Sequence, residues 1–166
     1  MTTELVKQWQ EQGFISVKGL LNKNEVAQLL KICNRIKKEF EDANAGSNSA
    51  NSENHCMRHL NHPKYYTQHK DEYEPFMNTI CHEKIIRIAN SIVSEKLAMF
   101  RTTSYFFEPK SGNKDGNWHR DIQFIEHDEV KQKEAFFKAA ALPSTGIQMQ
   151  IALEPSQDIE YVPFSH

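Results

Sequence analysis

The dominant hydrophobic periodicity of this chain changes near residue 96, and that change limits the fold more than any other feature. Before it, apolar residues recur at helical spacing; after it, they alternate or run together in β-branched and aromatic stretches. In the first part, Leu5 and Trp9 share one face of a helix predicted over 3–12, which Gly13 ends. Asn22-Lys-Asn-Glu25 has the form of a capping box, an acceptor side chain at the cap with an acid three residues on. Val26, Leu29, Leu30, Cys33, Ile36 and Phe40 then keep helical spacing to about residue 41. Two more helices are predicted over 72–80 and 82–95, the second with Ile85, Ile88, Ala89 and Ile92 on one face. The stretch 42–54 (DANAGSNSANSEN) is small, polar and without period, so it is a loop.

Strands dominate the expectation for the rest. Phe14–Lys18 alternates as a short strand would, and Leu97–Glu108 is β-branched and aromatic up to Pro109. A glycine-containing loop over 110–117 leads to a second strand over 118–125. Residues 127–141 are polar and helical in pattern, and 146–153 and 159–163 read as further strands. Helices first and strands later define an α+β or mainly β class, with residues 1–96 capping strands drawn from 97–166. At 166 residues the chain suits one domain.

Charge narrows the partners. A net charge of −2 and a pI near 6.4 give no electrostatic footprint for nucleic acid or an anionic membrane. Neither a signal-peptide pattern nor an apolar run of membrane-span length is present, so the cytoplasm is the expected compartment. Three widely spaced cysteines, Cys33, Cys56 and Cys81, fit reduced thiols rather than a disulfide framework.

The chemistry-bearing segment is Gly116-Asn-Trp-His119-Arg-Asp121-Ile-Gln-Phe124. On a strand, residues i and i+2 share a face, so His119 and Asp121 point together while Arg120 points away. One imidazole nitrogen and one carboxylate oxygen make two corners of a 2-His-1-carboxylate triad, which leaves other positions of iron(II) open. A surface His–Asp pair is the competing reading. The tripeptide also occurs as His69-Lys-Asp71, but beside a helix, where i and i+2 do not face one way. The stretch His55-Cys-Met-Arg-His59-Leu-Asn-His62 is dense in zinc-type ligands, yet its spacing matches no standard zinc pattern and has no CxxC partner.

Phe14-Ile-Ser-Val-Lys-Gly-Leu-Leu21 and the capped helix after it resemble the entry segment of the phytanoyl-CoA dioxygenase family. The resemblance continues through the strand closing in Glu108-Pro109 and Trp118-His-Arg-Asp121. It extends to Gln148-Met-Gln-Ile-Ala-Leu-Glu154 and Tyr161-Val-Pro-Phe-Ser-His166, where Phe164 stands in place of the family's glycine. The resemblance implies a double-stranded β-helix (jelly-roll) core with iron(II) held by His119 and Asp121. It implies 2-oxoglutarate and O2 as co-substrates, decarboxylation to succinate, and hydroxylation of a small organic molecule, lipid-like or a natural-product intermediate. Ser104 and Gln150 are placed by the pattern to face 2-oxoglutarate, and Arg58 to reach a carboxylate, with Arg101 and Tyr105 as alternates. Asp121 argues against halogenation, because halogenating relatives lack that carboxylate.

The family's second histidine ligand and its distal arginine lie several strands beyond the motif that ends here in His166. His166 corresponds to a histidine that is not the usual ligand. The jelly roll is therefore expected to be incomplete within these residues, with the missing strands and ligand supplied beyond them. The alternative expectation is a jelly-roll protein that binds a ligand or partner without catalysis. Trp118, Phe124, Tyr105 and Phe107 would line a pocket or fill the core.

Overall fold

In a computed structural model, residues 2–43, 56–92, 100–107, 119, 127–140, 147–156 and 159–163 are described. Helix α1 spans Thr2–Gln12 and α2 spans Lys23–Ala43. Strand β1 is Cys56–Arg58, a 3-10 turn covers Pro63–Tyr66, and helices α3 and α4 are Lys70–Ile80 and Glu83–Ile92. Strand β2 is Ser104–Phe106 and helix α5 is Glu129–Ala140. The described residues are mostly helical, with one antiparallel two-stranded sheet.

Helix boundaries follow local chemistry. Gly13 takes φ +79°, a conformation other residues resist, and its N–H donates to the Trp9 carbonyl at 2.8 Å, which ends α1. Asn22 starts α2 as a reciprocal box: its Oδ1 accepts from Asn24 N and Glu25 N at 2.9 and 3.0 Å, and its own N–H donates to Glu25 Oε2 at 2.6 Å. Asn22→Ala is expected to cost about 1 kcal/mol, read as a lower denaturant midpoint at unchanged slope. Asp128 caps α5 in the same way, accepting from Val130 N and Lys131 N at 3.0 Å each.

The core lies between α2 and α3. Leu29, Ile32, Cys33 and Ile36 of α2 meet Met57, Leu60, Tyr66, Phe76 and Ile80. Ile32, absent from the stripe read in the sequence, is buried, whereas Val26 and Leu30 are half-buried; the buried face is rotated relative to expectation. Arg35 ties the two helices together, its Nε 2.6 Å from Glu72 Oε2 and its Nη1 2.9 Å from Glu39 Oε2. The sulfur of Cys33 sits in this apolar layer, and burial pushes its thiol up to about 12. Helix α1 packs on α4, which buries Ile85 and Ala89.

Several expected strands are corrected. Phe14–Lys18 forms no strand, and within 100–107, the described part of the strand expected over 97–108, only Ser104–Phe106 is strand. The described parts of 146–153 and 159–163 carry no strand either. A strand exists through its ladder with a neighbour, and β-propensity alone does not supply one. Among the described residues, Phe14–Lys18 and the described parts of 146–153 and 159–163 have no such neighbour. Ile151 and Leu153 still pack against the core, so alternation reports burial there without sheet formation. The jelly roll is not seen among the described residues, and the expected strand 118–125 lies outside them except for His119.

Candidate functional site

The β1–β2 pair brings together two of the residues singled out in the sequence. Cys56 faces Phe106, Met57 faces Tyr105 and Arg58 faces Ser104 across the ladder. Direct partners share a face with Cβ atoms about 5 Å apart. Met57 and Tyr105 turn inward: Met57 is buried, and the Tyr105 hydroxyl donates to Asn34 Oδ1 at 2.7 Å. Burial pushes the Tyr105 phenol up to about 12, helped by Cys33 and Glu154 nearby. Tyr105 and Phe107 thus pack against the core.

The opposite face carries Cys56, Arg58, Ser104 and Phe106. Burial raises the Cys56 thiol, while the Arg58 charge and a hydrogen bond with Ser104 pull the other way. Arg58 is exposed, and 66% of Phe106 is exposed beside it. An arginine, a hydroxyl and an aromatic ring on one accessible face can bind a carboxylate with an apolar body attached. Gln150, the third expected co-substrate contact, is exposed on the segment 147–156.

Of the two expected metal ligands, His119 is exposed and Asp121 lies outside the described residues. Their donor chemistry, one imidazole and one carboxylate, suits iron(II). Among the described residues, no group of three or more His, Cys, Asp or Glu side chains could hold a metal ion. The His–Asp pair at 69 and 71 has another use: His69 Nε2 lies 3.1 Å from Glu39 Oε1, and Asp71 sits exposed in the first turn of α3.

The described histidines of and near the histidine-rich stretch are likewise employed in local structure, while His55 lies outside the described residues. His62 Nδ1 caps the 3-10 turn by accepting from Lys64 N at 3.1 Å, and His82 Nδ1 does the same for Lys84 N ahead of α4. His59 pairs its Nδ1 with Thr102 Oγ1 at 2.8 Å, a contact that the sequence reading missed because it links positions 43 apart.

With this geometry in view, comparison with known families assigns a class, dioxygenase-type oxidoreductase. The chain belongs to the phytanoyl-CoA dioxygenase (PhyH) family, whose family model matches residues 9–159. That family lies within the superfamily of iron- and 2-oxoglutarate-dependent oxygenases and implies a jelly-roll fold. No curated protein and no solved structure matches the chain. No helix among the described residues is long and apolar enough to cross a membrane.

Proposed function

We propose that this protein is an iron(II)- and 2-oxoglutarate-dependent hydroxylase of a small organic substrate, lipid-like or a natural-product intermediate. Family membership over residues 9–159 carries this reading, because the matched span contains the His119-Arg-Asp121 motif. His119 and Asp121 would hold the metal, leaving positions open for the co-substrates. Bound iron(II) supplies the activation of O2 that couples decarboxylation of 2-oxoglutarate to hydroxylation of a C–H bond.

The chain's own groups bind and orient. Arg58 offers a planar fork of N–H donors to a carboxylate, and Ser104, its partner across the ladder, offers a hydroxyl to the same face. Gln150 adds an amide from the later segment. Holding the co-substrate by fixed donors replaces its water shell and sets its orientation toward the metal.

Arg58→Gln is expected to raise KM for 2-oxoglutarate by about 10- to 100-fold, the worth of one charge-assisted hydrogen bond. Arg87→Gln serves as control, since Arg87 pairs with exposed Glu83 on α4. Steady-state succinate formation at varied 2-oxoglutarate measures both. An unchanged KM in the Arg58 variant would remove it from the co-substrate site.

A further inference from the structure

Pro63, Tyr66, Thr67, Lys70 and Tyr73 line an open cavity of about 340 Å³ where the 3-10 turn meets the start of α3. That size falls within the range that takes small molecules. None of the five belongs to the metal or co-substrate set. The cavity has fixed walls, because one guanidinium holds both of its sides. Arg35 Nη1 donates to the Tyr65 carbonyl of the turn at 3.2 Å, and its Nε donates to Glu72 Oε2 of α3 at 2.6 Å. His69 N closes the short link between them by donating to the Tyr66 carbonyl at 3.1 Å.

The lining chemistry selects the ligand. Tyr66 is held at several points: its hydroxyl donates to the Leu60 carbonyl at 2.9 Å, and its ring centroid lies 4.9 Å from that of Tyr73 and 5.7 Å from that of Phe76. The Arg35 guanidinium sits 5.7 Å from the same centroid. With its hydroxyl spent on the core, Tyr66 offers the cavity ring carbon, and Tyr73 and Pro63 add further ring surface. The Thr67 hydroxyl is spent on the Lys64 carbonyl at 3.1 Å. Lys70, by contrast, is exposed and has neither a hydrogen bond nor an ion pair among the described residues. Glu72 is already paired with Arg35, and Asp71 is not among the lining residues. A cation among aromatic walls attracts an anionic group carried on a ring and repels a cationic ligand. The volume suits one ring system, whereas an extended peptide needs a run of successive pockets.

We propose that this cavity binds a small aromatic carboxylate, with its ring against Tyr66, Tyr73 and Pro63 and its acid group on Lys70. The ring contact supplies most of the affinity, and the charge sets the orientation. The site uses neither metal nor turnover, so it stands or falls apart from the oxygenase reading.

The test is titration of the full-length metal-free protein, followed by the backbone amide NMR signals of Tyr66, Thr67, Lys70 and Tyr73. Phenylacetate carries ring and charge, benzyl alcohol the ring alone, and acetate the charge alone. Saturable shifts at these amides are expected with phenylacetate, weaker binding with benzyl alcohol, and no saturation with acetate. Lys70→Gln should weaken phenylacetate about fivefold, the upper worth of an exposed ion pair, and leave benzyl alcohol unchanged. Tyr73→Leu keeps apolar bulk but removes the ring, and should weaken both ring-bearing probes about fivefold. Lys84→Gln, at an exposed lysine near the start of α4, should change neither. Absence of saturable shifts at these amides, equal phenylacetate affinity in wild type and Lys70→Gln, or acetate binding as well as phenylacetate would overturn the site.

Discussion

Replacing either His119 or Asp121 by alanine is expected to abolish succinate formation from 2-oxoglutarate and to weaken iron(II) binding by more than about 100-fold. Loss of an outer-shell partner alone typically costs 10- to 100-fold, and a direct ligand contributes more. The carboxylate both neutralises the metal's charge and fixes its position, so Asp121→Gly should also lose hydroxylation although it opens a site for an anion. His69→Ala and Asp71→Ala share the tripeptide but should leave turnover intact, because His69 faces Glu39 and Asp71 sits exposed on a helix. Iron content and succinate yield, measured on the same preparations, separate the two copies of the motif. Wild-type succinate formation in the Asp121 variants, or a native product that is chlorinated, would contradict the assignment.

The largest stability effect is expected at Phe76. Its ring is 1% exposed and packs among Ile32, Ile36 and Tyr66, with the Tyr66 ring centroid 5.7 Å away. Phe76→Ala removes that burial and leaves a cavity, costing about 3–5 kcal/mol. Native stability is typically about 5–15 kcal/mol, so this is a large share of the whole. A fall in Tm of about 10 °C or more should follow for a chain of this size. Val130→Ala makes the contrast, since Val130 is 67% exposed on α5 and should shift stability by less than about 0.5 kcal/mol. Equal effects at the two positions would show that the core does not lie between α2 and α3.

The helices were legible because their signals are local. Asn22 and Glu25 satisfy each other's backbone N–H groups within four residues, and the apolar spacing of α2 needs no knowledge of its partner. The strands were less legible because their signal is incomplete without a neighbour. Phe14–Lys18 alternates, yet Phe14 spends its apolar face on a ring contact with Tyr161, centroids 4.0 Å apart, rather than on a sheet. Strand β1 was missed for the opposite reason: Cys56-Met-Arg58 is three residues long, too short to show a period.

The same distinction runs through the site. His119-Arg-Asp121 could be read as residue types at a spacing, and family membership needed only motifs in order. The pairing of Arg58 with Ser104 depends on register, and the His59–Thr102 contact on a turn packed against a distant segment. Neither leaves a periodic trace in the chain.

The central claim is tested most directly by anaerobic iron(II) binding and subsequent 2-oxoglutarate turnover in the purified full-length protein, compared with Asp121→Asn. Asparagine keeps the shape of the side chain and removes its charge, so folding is controlled for. The account predicts stoichiometric iron(II) and succinate formation in the wild type, with both lost in Asp121→Asn. A folded wild-type protein that neither retains iron(II) nor forms succinate would contradict it, and the non-catalytic binding role would then take its place.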